Sequence, residues 1–452
     1  MTRKLLVVGL DCAAPKLLYE EFRDELPTLS MLTNDGLKAE LVSCHPPITI
    51  PAWGVMVTGK TPGELGLYGF RHRKPGSYNE FYIANSRSIK ANTVWNVLGR
   101  HDMNSIVVGV PPSYPPRPIK GVMVSCFLTP SSDSVYTFPP AVKHEIESRF
   151  GKYVFDVIYR SEDRDRILRE VWNMTKQHFQ VLRYLAASRK WDFFMFVEIG
   201  VDRIHHAFWG YMDKEHHKYT PNNKYESVIK NYYKLVDEEL KKLLDKIPKD
   251  TVVMVVSDHG AKRMKGAFVV NQWLAEKGYL RILDDRIRPG TELKNVKVDW
   301  SKTIAWGWGG YYARIFLNVK GREPLGCIDP REYEDYRDML IDELKKIRGP
   351  NGEKWNTKAY RPEDLYPEVK GDPPDLIVYF DDLYWRSAGT LGWNTLYLKE
   401  NDRGPDDAVH DWYGVLSICD PEETISKSSK KVRIEQVHDL MLEVIGLKTI
   451  KI

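Results

Sequence analysis

The chain has 452 residues, 42% of them hydrophobic and 28% charged, the balance of a soluble globular protein with length for one large domain carrying an insertion or for two domains. Lys and Arg number 66 against 62 Asp and Glu, a net charge of +4 that is too small over this length to mark a nucleic-acid polymer as partner. Five cysteines without paired spacing, Cys12, Cys44 and Cys126 among them, exclude a disulfide framework and are expected as free thiols of a reducing compartment.

The first segment, MTRKLLVVGLD, runs directly into a buried-strand pattern ending at Asp11, and its apolar run is too short for a signal peptide or a membrane span. A cytoplasmic protein is therefore expected. Thr49 follows in CHPPITIPAWGVMVTGKTPGELG, flanked by prolines and then by small residues, Ala52 to Val57, that read as a helix. A hydroxyl at a helix start stands where free backbone N–H groups and the helix dipole favour an anion such as phosphate, although N-capping alone also places threonine there. In Gly69-Phe70-Arg71-His72-Arg73 the two arginines are either solvated loop cations or guanidinium forks suited to phosphate.

Further along, TVWNVLGRHD reads as helix, SIVVGV as strand, Asp165 to Ala187 as a long helix, and FFMFVEIGVD as a strand closing at Asp202. Asp202 and His206 are four residues apart and share one face of a helical turn, a spacing that lets both bind one ion. His205 points elsewhere and reads as packing or support. After the helix SVIKNYYKLVDEELKKLLDKI, the apolar run TVVMVV ends in Ser257-Asp258-His259-Gly260, where adjacent Asp and His reach ligands only if the chain turns at once, as Gly260 permits. Residues 261–373, with the helix YEDYRDMLIDELKKI and the strand YYARIFLNV, then interrupt the pattern before DLIVYF resumes it. His410 stands in DDAVHDWYG ahead of VLSI. Lys427 to Lys431 reads as a solvated face.

Strands alternating with helices predict an α/β fold with a mostly parallel central sheet and helices on both faces. Residues 1–260 and 374–452 form the expected core, and 261–373 an inserted cap subdomain. In such a sheet the carboxyl ends of the strands carry the ligand crevice. Asp11, Asp202, His206, Asp258, His259 and His410 read together as two metal sites, with Thr49 where a nucleophile would stand. Oxygen and imidazole donors suit Zn²⁺, or Mn²⁺ as second choice, rather than Ca²⁺. Trp53, Phe70, Trp209 and Trp412, with Trp306 and Trp308 of the insertion, are core residues or a stacking wall for a base, sugar or lipid glycan.

In order, Asp11, Thr49-Ile50-Pro51, Asp202-x-x-x-His206, Ser257-Asp258-His259-Gly260 and His410 resemble the alkaline phosphatase superfamily. They are most similar to its type I phosphodiesterase and nucleotide pyrophosphatase branch. Within that branch TPGELGLYGFRHR, VGVPPSYPPRPIKGVMVSCFLTP, DRIHHAFW and FVVNQWLAEKGYL resemble the prokaryotic group of predicted phosphohydrolases and phosphomutases.

The resemblance implies one metal on Asp202, His206 and His410, and another on Asp11, Asp258 and His259 with the Thr49 oxygen beside it. It implies a phosphothreonine formed by in-line attack of Thr49 and released by water, and an insertion that shapes substrate choice. The substrate would be a phosphorylated small molecule or headgroup, with Arg71, Arg73, Trp53 and Phe70 as binding residues. Nucleotide pyrophosphatases of the branch carry an Asn where this chain has the Gly69–Arg73 segment, so monoester and diester cleavage both stay open. A sulfatase is excluded, because Thr49-Ile50-Pro51-Ala52-Trp53 lacks both ends of that motif. The alternatives are a nucleotide pyrophosphatase/phosphodiesterase and a phosphomutase using the same dimetal centre, the latter disfavoured by threonine where phosphoglycerate mutases use serine. A silent binding protein would lack a ligand or the nucleophile, and none is missing. A homo-oligomer is left open.

Overall fold

The computed structural model describes residues 3–34, 36–423 and 431–447, and the chain divides into two compact units. Lys427 to Lys430 of the basic run lie outside the described residues.

The first unit comprises the residues up to Gly69, Ala84–Lys262 and those from His410 onward. Its strands are β1 (Leu5–Leu10), β2 (Leu37–Val42), β3 (Ser105–Val108), β4 (Gly121–Val124), β5 (Thr137–Phe138), β6 (Phe193–Glu198), β7 (Val252–Val256), β8 (Tyr413–Cys419) and β9 (Lys431–Arg433). They form a nine-stranded sheet in the order β9-β2-β8-β7-β1-β6-β3-β4-β5. From β7 to β4 every pairing is parallel, while β8 and β5 run antiparallel to their inner neighbours. The expected mostly parallel sheet is therefore present.

The inner strands LLVVGL, FFMFVE and VVMVV are buried throughout, as strands covered on both faces must be. One face, with Leu5, Val7, Phe193 and Met195, packs on helices α1 (Thr49–Thr58) and α5 (Gln436–Ile445). The opposite face meets α2 (Arg164–Ser188), where Phe179 stands edge-on to Phe196 at 5.6 Å. Two further helices, α3 (Gly200–Met212) and α4 (Val228–Leu244), belong to this unit. Register sets Leu10 opposite Glu198 and Gly9 opposite Val256, which brings the carboxyl ends of β1, β6 and β7 side by side.

The second unit comprises Phe70–Ile83 and Arg263–Val409. Its four-stranded antiparallel sheet runs Ala305–Trp308, Ala313–Leu317, Leu376–Tyr379, Lys358–Tyr360, and its core gathers Trp306, Phe316, Leu340, Trp355 and Phe380.

These boundaries differ from those read in the sequence. DLIVYF does not resume the large sheet, since Val378 pairs with Ala313 and Ala359 inside the second unit. A buried four-residue strand carries the same apolar signature whichever sheet it joins. The unit also draws in Phe70–Ile83, anchored by Tyr78, which stacks on Trp300 at 3.8 Å and bonds Asn318 at 2.8 Å. No helix among the described residues is long and apolar enough to cross a membrane.

Candidate metal centre

Every predicted metal ligand belongs to the first unit. Asp11 directly follows β1, and its amide donates to the Glu198 carbonyl at the end of β6 (3.2 Å). Asp202 is in the first turn of α3, not at a strand end as FFMFVEIGVD suggested. The strand stops at Glu198, whose carboxylate accepts from the Gly200 amide at 2.9 Å. A Cβ on Gly200 would lie 2.1 Å from the Tyr232 hydroxyl, so the helix starts at the one residue small enough for that approach. One turn on, His206 Nε2 lies 3.1 Å from Asp202 Oδ1.

Asp258 and His259 come two and three residues past β7. Gly260 serves close approach rather than a left-handed turn, since a Cβ there would meet the Tyr413 carbonyl at 2.3 Å. The segments where the chain leaves and rejoins this unit, Gly260–Arg263 and Ala408–Asp411, pair as a two-stranded sheet. That pairing brings His410, distant in sequence, onto His259 with ring centroids 3.8 Å apart.

Thr49 opens α1 at its first helical position, and the N-cap is Ile48. The capping role for Thr49 is thereby set aside. Its hydroxyl lies 3.5 Å from His259 Nε2.

The side chains fall into two buried groups. In one, Asp202, His206, His410 and also Cys12 offer ligand atoms all within 4.8 Å of one another; in the other, Asp11, Asp258 and His259 do so. His410 Nδ1 donates to the Pro47 carbonyl (2.7 Å) and His259 Nδ1 to the Gly260 carbonyl (3.1 Å), which leaves each Nε2 as a lone-pair donor aimed inward. His259 Nε2 and Asp258 Oδ2 are then two electron-pair donors 3.0 Å apart. No described residue hydrogen-bonds Asp258 Oδ2 or Asp11 Oδ1, although both are buried. Orphaned buried carboxylate oxygens are costly unless a cation meets them, so these residues fit divalent metal ions.

Electrostatics agree. Burial and the neighbouring Asp258 and Asp202 charges push the Asp11 carboxyl well above the usual range. Burial also raises Asp202, but His206 and Arg203 outweigh it and hold that carboxyl well below the ordinary value. Burial and the adjacent His259 and His206 rings push His410 down. Cations among the carboxylates would relieve the first conflict and use the lone pairs left by the last.

Other residues have roles the sequence did not disclose. Trp53, expected to touch substrate, is fully buried, and its Nε1 donates to Asp11 Oδ2 at 2.7 Å. Arg203 grips Asp202 Oδ2 at 2.5 Å and both oxygens of Asp156 at 2.6 and 2.7 Å. His205 Nδ1 meets the Cys12 carbonyl at 3.1 Å, a supporting position. Phe70, Arg71 and Arg73 lie in the second unit. Arg73 is not available as an anion ligand there, because its buried guanidinium pairs with Glu323 at 3.0 Å and packs on Phe316 and Trp306. Arg71 is exposed, with its guanidinium over the Phe81 ring. Trp306 is core and Trp209 is buried, so neither forms an open stacking wall.

Among solved structures, human ectonucleotide pyrophosphatase/phosphodiesterase 5 is similar at TM-score 0.58 and 13% identity, over 99% of this chain and 96% of that one. Phosphonoacetate hydrolase from Sinorhizobium meliloti 1021, in complex with phosphonoformate, is similar at TM-score 0.62 and 15% identity, over 98% and 96%. At these identities the likeness is one of fold. None of the curated protein sequences matches the chain. The model of the type I phosphodiesterase/nucleotide pyrophosphatase family matches residues 5–406, nearly the whole length over which the ligands are spread, and the chain belongs to that family of phosphoric ester hydrolases.

Proposed function

We propose that the protein is a two-metal phosphohydrolase that cleaves a phosphate mono- or diester through a phosphothreonine at Thr49. The observation that carries this reading is the Thr49 hydroxyl, buried at the start of α1 and 3.5 Å from His259 Nε2 within a cluster of three Asp and three His side chains. Two divalent cations held by Asp202, His206 and His410 and by Asp11, Asp258 and His259 would neutralise phosphate charge and lower the pKa of the Thr49 hydroxyl. The first-turn amides and dipole of α1 point the same way, toward an anion.

Thr49 Oγ gives up its proton to solvent and forms the new bond to phosphorus as the bond from phosphorus to the leaving oxygen breaks on the opposite side, and that oxygen takes a proton from solvent. Water then attacks phosphorus, the Thr49 Oγ–P bond breaks, and the hydroxyl is restored with release of phosphate or a monoester. A murine ectonucleotide pyrophosphatase/phosphodiesterase 5, inactive with a threonine replaced by alanine and solved with AMP, supports a threonine-centred reaction. The three imidazole nitrogens of the donor set favour Zn²⁺ over Mn²⁺. The second unit would set substrate choice, since it leaves the chain next to His259 and rejoins it next to His410. Five free thiols suit a cytoplasmic setting.

The test is metal analysis of the purified protein together with turnover of nitrophenyl phosphate and bis(nitrophenyl) phosphate. Two equivalents of metal and chelator-sensitive release from at least one ester are expected, and equal turnover by the metal-free protein would overturn the reading. Transfer of the phosphoryl group to an added sugar or acid hydroxyl in preference to water would assign the phosphomutase alternative.

A further inference from the structure

One member of the first ligand group has no part in the reaction above. Cys12 follows Asp11, is fully buried and is fixed from three directions. Its amide donates to Asp258 Oδ1 at 3.1 Å, its carbonyl meets His205 Nδ1 at 3.1 Å, and its sulfur lies 3.4 Å from the Gly260 carbonyl. These contacts leave Sγ within 4.8 Å of the ligand atoms of Asp202, His206 and His410.

We infer that Cys12 Sγ is a fourth protein ligand of the cation held by Asp202, His206 and His410. This rests on the two-metal reading and adds to it. On coordination the sulfur–metal bond forms and the thiol proton leaves to solvent, as for any cysteine ligand. One sulfur, one carboxylate oxygen and two imidazole nitrogens are donors of the kind Zn²⁺ takes and Mn²⁺ does not favour, and a zinc so held would still take a phosphate oxygen by expanding to five donors. The Asp11, Asp258 and His259 group has no sulfur and keeps Thr49 beside it. The two positions therefore differ in kind: a sulfur-bearing one selective for zinc, and an oxygen-rich one adjoining the nucleophile.

Cobalt reports the difference without any assay of turnover. The metal-free full-length protein loaded with Co²⁺ should show visible ligand-field bands and a near-ultraviolet sulfur-to-cobalt charge-transfer band. Cys12→Ser and Cys12→Ala should lose the charge-transfer band and keep the ligand-field bands. Zn²⁺ affinity at that position should fall by at least ~10-fold, the lower end of what loss of an outer partner alone does, with a smaller change for Mn²⁺. Ligand-field bands in the wild type without charge transfer, or a charge-transfer band that survives Cys12→Ser, would overturn the sulfur ligand and leave the two-metal reading standing. Failure of the wild type to bind Co²⁺ or Zn²⁺ at all would overturn both. Should neither variant fold, zinc-edge X-ray absorption of the wild type decides the matter: a sulfur shell supports the ligand, and nitrogen and oxygen shells alone exclude it.

Discussion

Trp53 donates its indole N–H to Asp11 Oδ2 at 2.7 Å, and it does so from the same face of α1 that presents Thr49, one turn earlier. The helix that carries the proposed nucleophile thus also aims one of the carboxylates beside it. With Oδ2 engaged, Oδ1 is the oxygen left for a cation. Trp53→Phe keeps most of the buried ring and removes the donor. It should weaken metal binding at the Asp11, Asp258 and His259 group by roughly 10- to 100-fold, the usual loss when an outer partner of a ligand is removed, and destabilise the fold by about 1–3 kcal/mol. Titration with a competing chelator reads the first and denaturant melts the second; unchanged metal affinity would show that the bond is packing alone.

If Thr49 is the nucleophile proposed above, Thr49→Ala should abolish phosphoenzyme, read by mass spectrometry after acid quench, and lower kcat by several orders of magnitude with metal content nearly unchanged. Thr49→Ser should retain partial activity. Normal turnover by the alanine variant would mean that water attacks phosphorus directly.

Legibility in the sequence followed chemistry. Carboxylates and imidazoles at the ends of apolar runs announced the residues that the fold gathers into two buried groups, since few other uses place Asp, His and Gly in immediate succession after a buried strand. The partners that hold those ligands were silent because they act through space. Nothing in the sequence says that Trp53 reaches Asp11, that Arg203 spans Asp202 and Asp156, or that Cys12 points its sulfur at three ligands 190 residues and more away. The insertion was legible as an interruption but not in extent: the short strand Leu376–Tyr379 could join either sheet on periodicity alone, and Phe70–Ile83 shows no break from the core around it.

Arg203 links Asp202, with 2% of its side chain exposed, to Asp156, with 32%. Arg203→Met would leave Asp202 buried without its cationic neighbour and should destabilise the metal-free protein by about 3–5 kcal/mol. Added Zn²⁺ should recover part of that loss, because a bound cation replaces the missing charge. Asp156→Asn, at the more exposed end, should cost under about 1 kcal/mol. Thermal melts with and without zinc separate the cases, and a loss for Arg203→Met that is the same in both would argue that the guanidinium serves packing alone.

His72 shows how burial shapes the acid limb of stability. Enclosure in the second unit, with Arg314 nearby, pushes its imidazole down to about 3, while the unfolded chain titrates near ~6.5. Between those values the unfolded state holds the extra proton, so stability falls as pH drops from about 6.5 toward 3, by up to ~1.4 kcal/mol per pH unit from this residue. His72→Phe preserves the stack on Tyr82 and should flatten the slope in urea melts across that window. An unchanged slope would move the acid sensitivity to other groups.

Arg71 and Arg73 are two residues apart in one strand, and the structure separates their fates. Arg73 is 9% exposed at its side chain and faces a Glu323 side chain with no exposure at all. Removing it leaves Glu323 with Arg322 and the Val319 amide as partners, so Arg73→Met should destabilise the second unit by about 1–3 kcal/mol while KM is unchanged. Arg71 is exposed, and its guanidinium lies over the Phe81 ring. If it binds a substrate anion, Arg71→Ala loses a charge-assisted hydrogen bond of about 1.5–3 kcal/mol, which raises KM roughly ten-fold or more at unchanged melting temperature. Steady-state kinetics on a phosphate ester beside thermal melts reads both variants. Wild-type KM in Arg71→Ala would make that arginine a solvated surface cation, and a raised KM at full stability in Arg73→Met would restore the anion-binding role the buried ion pair now argues against.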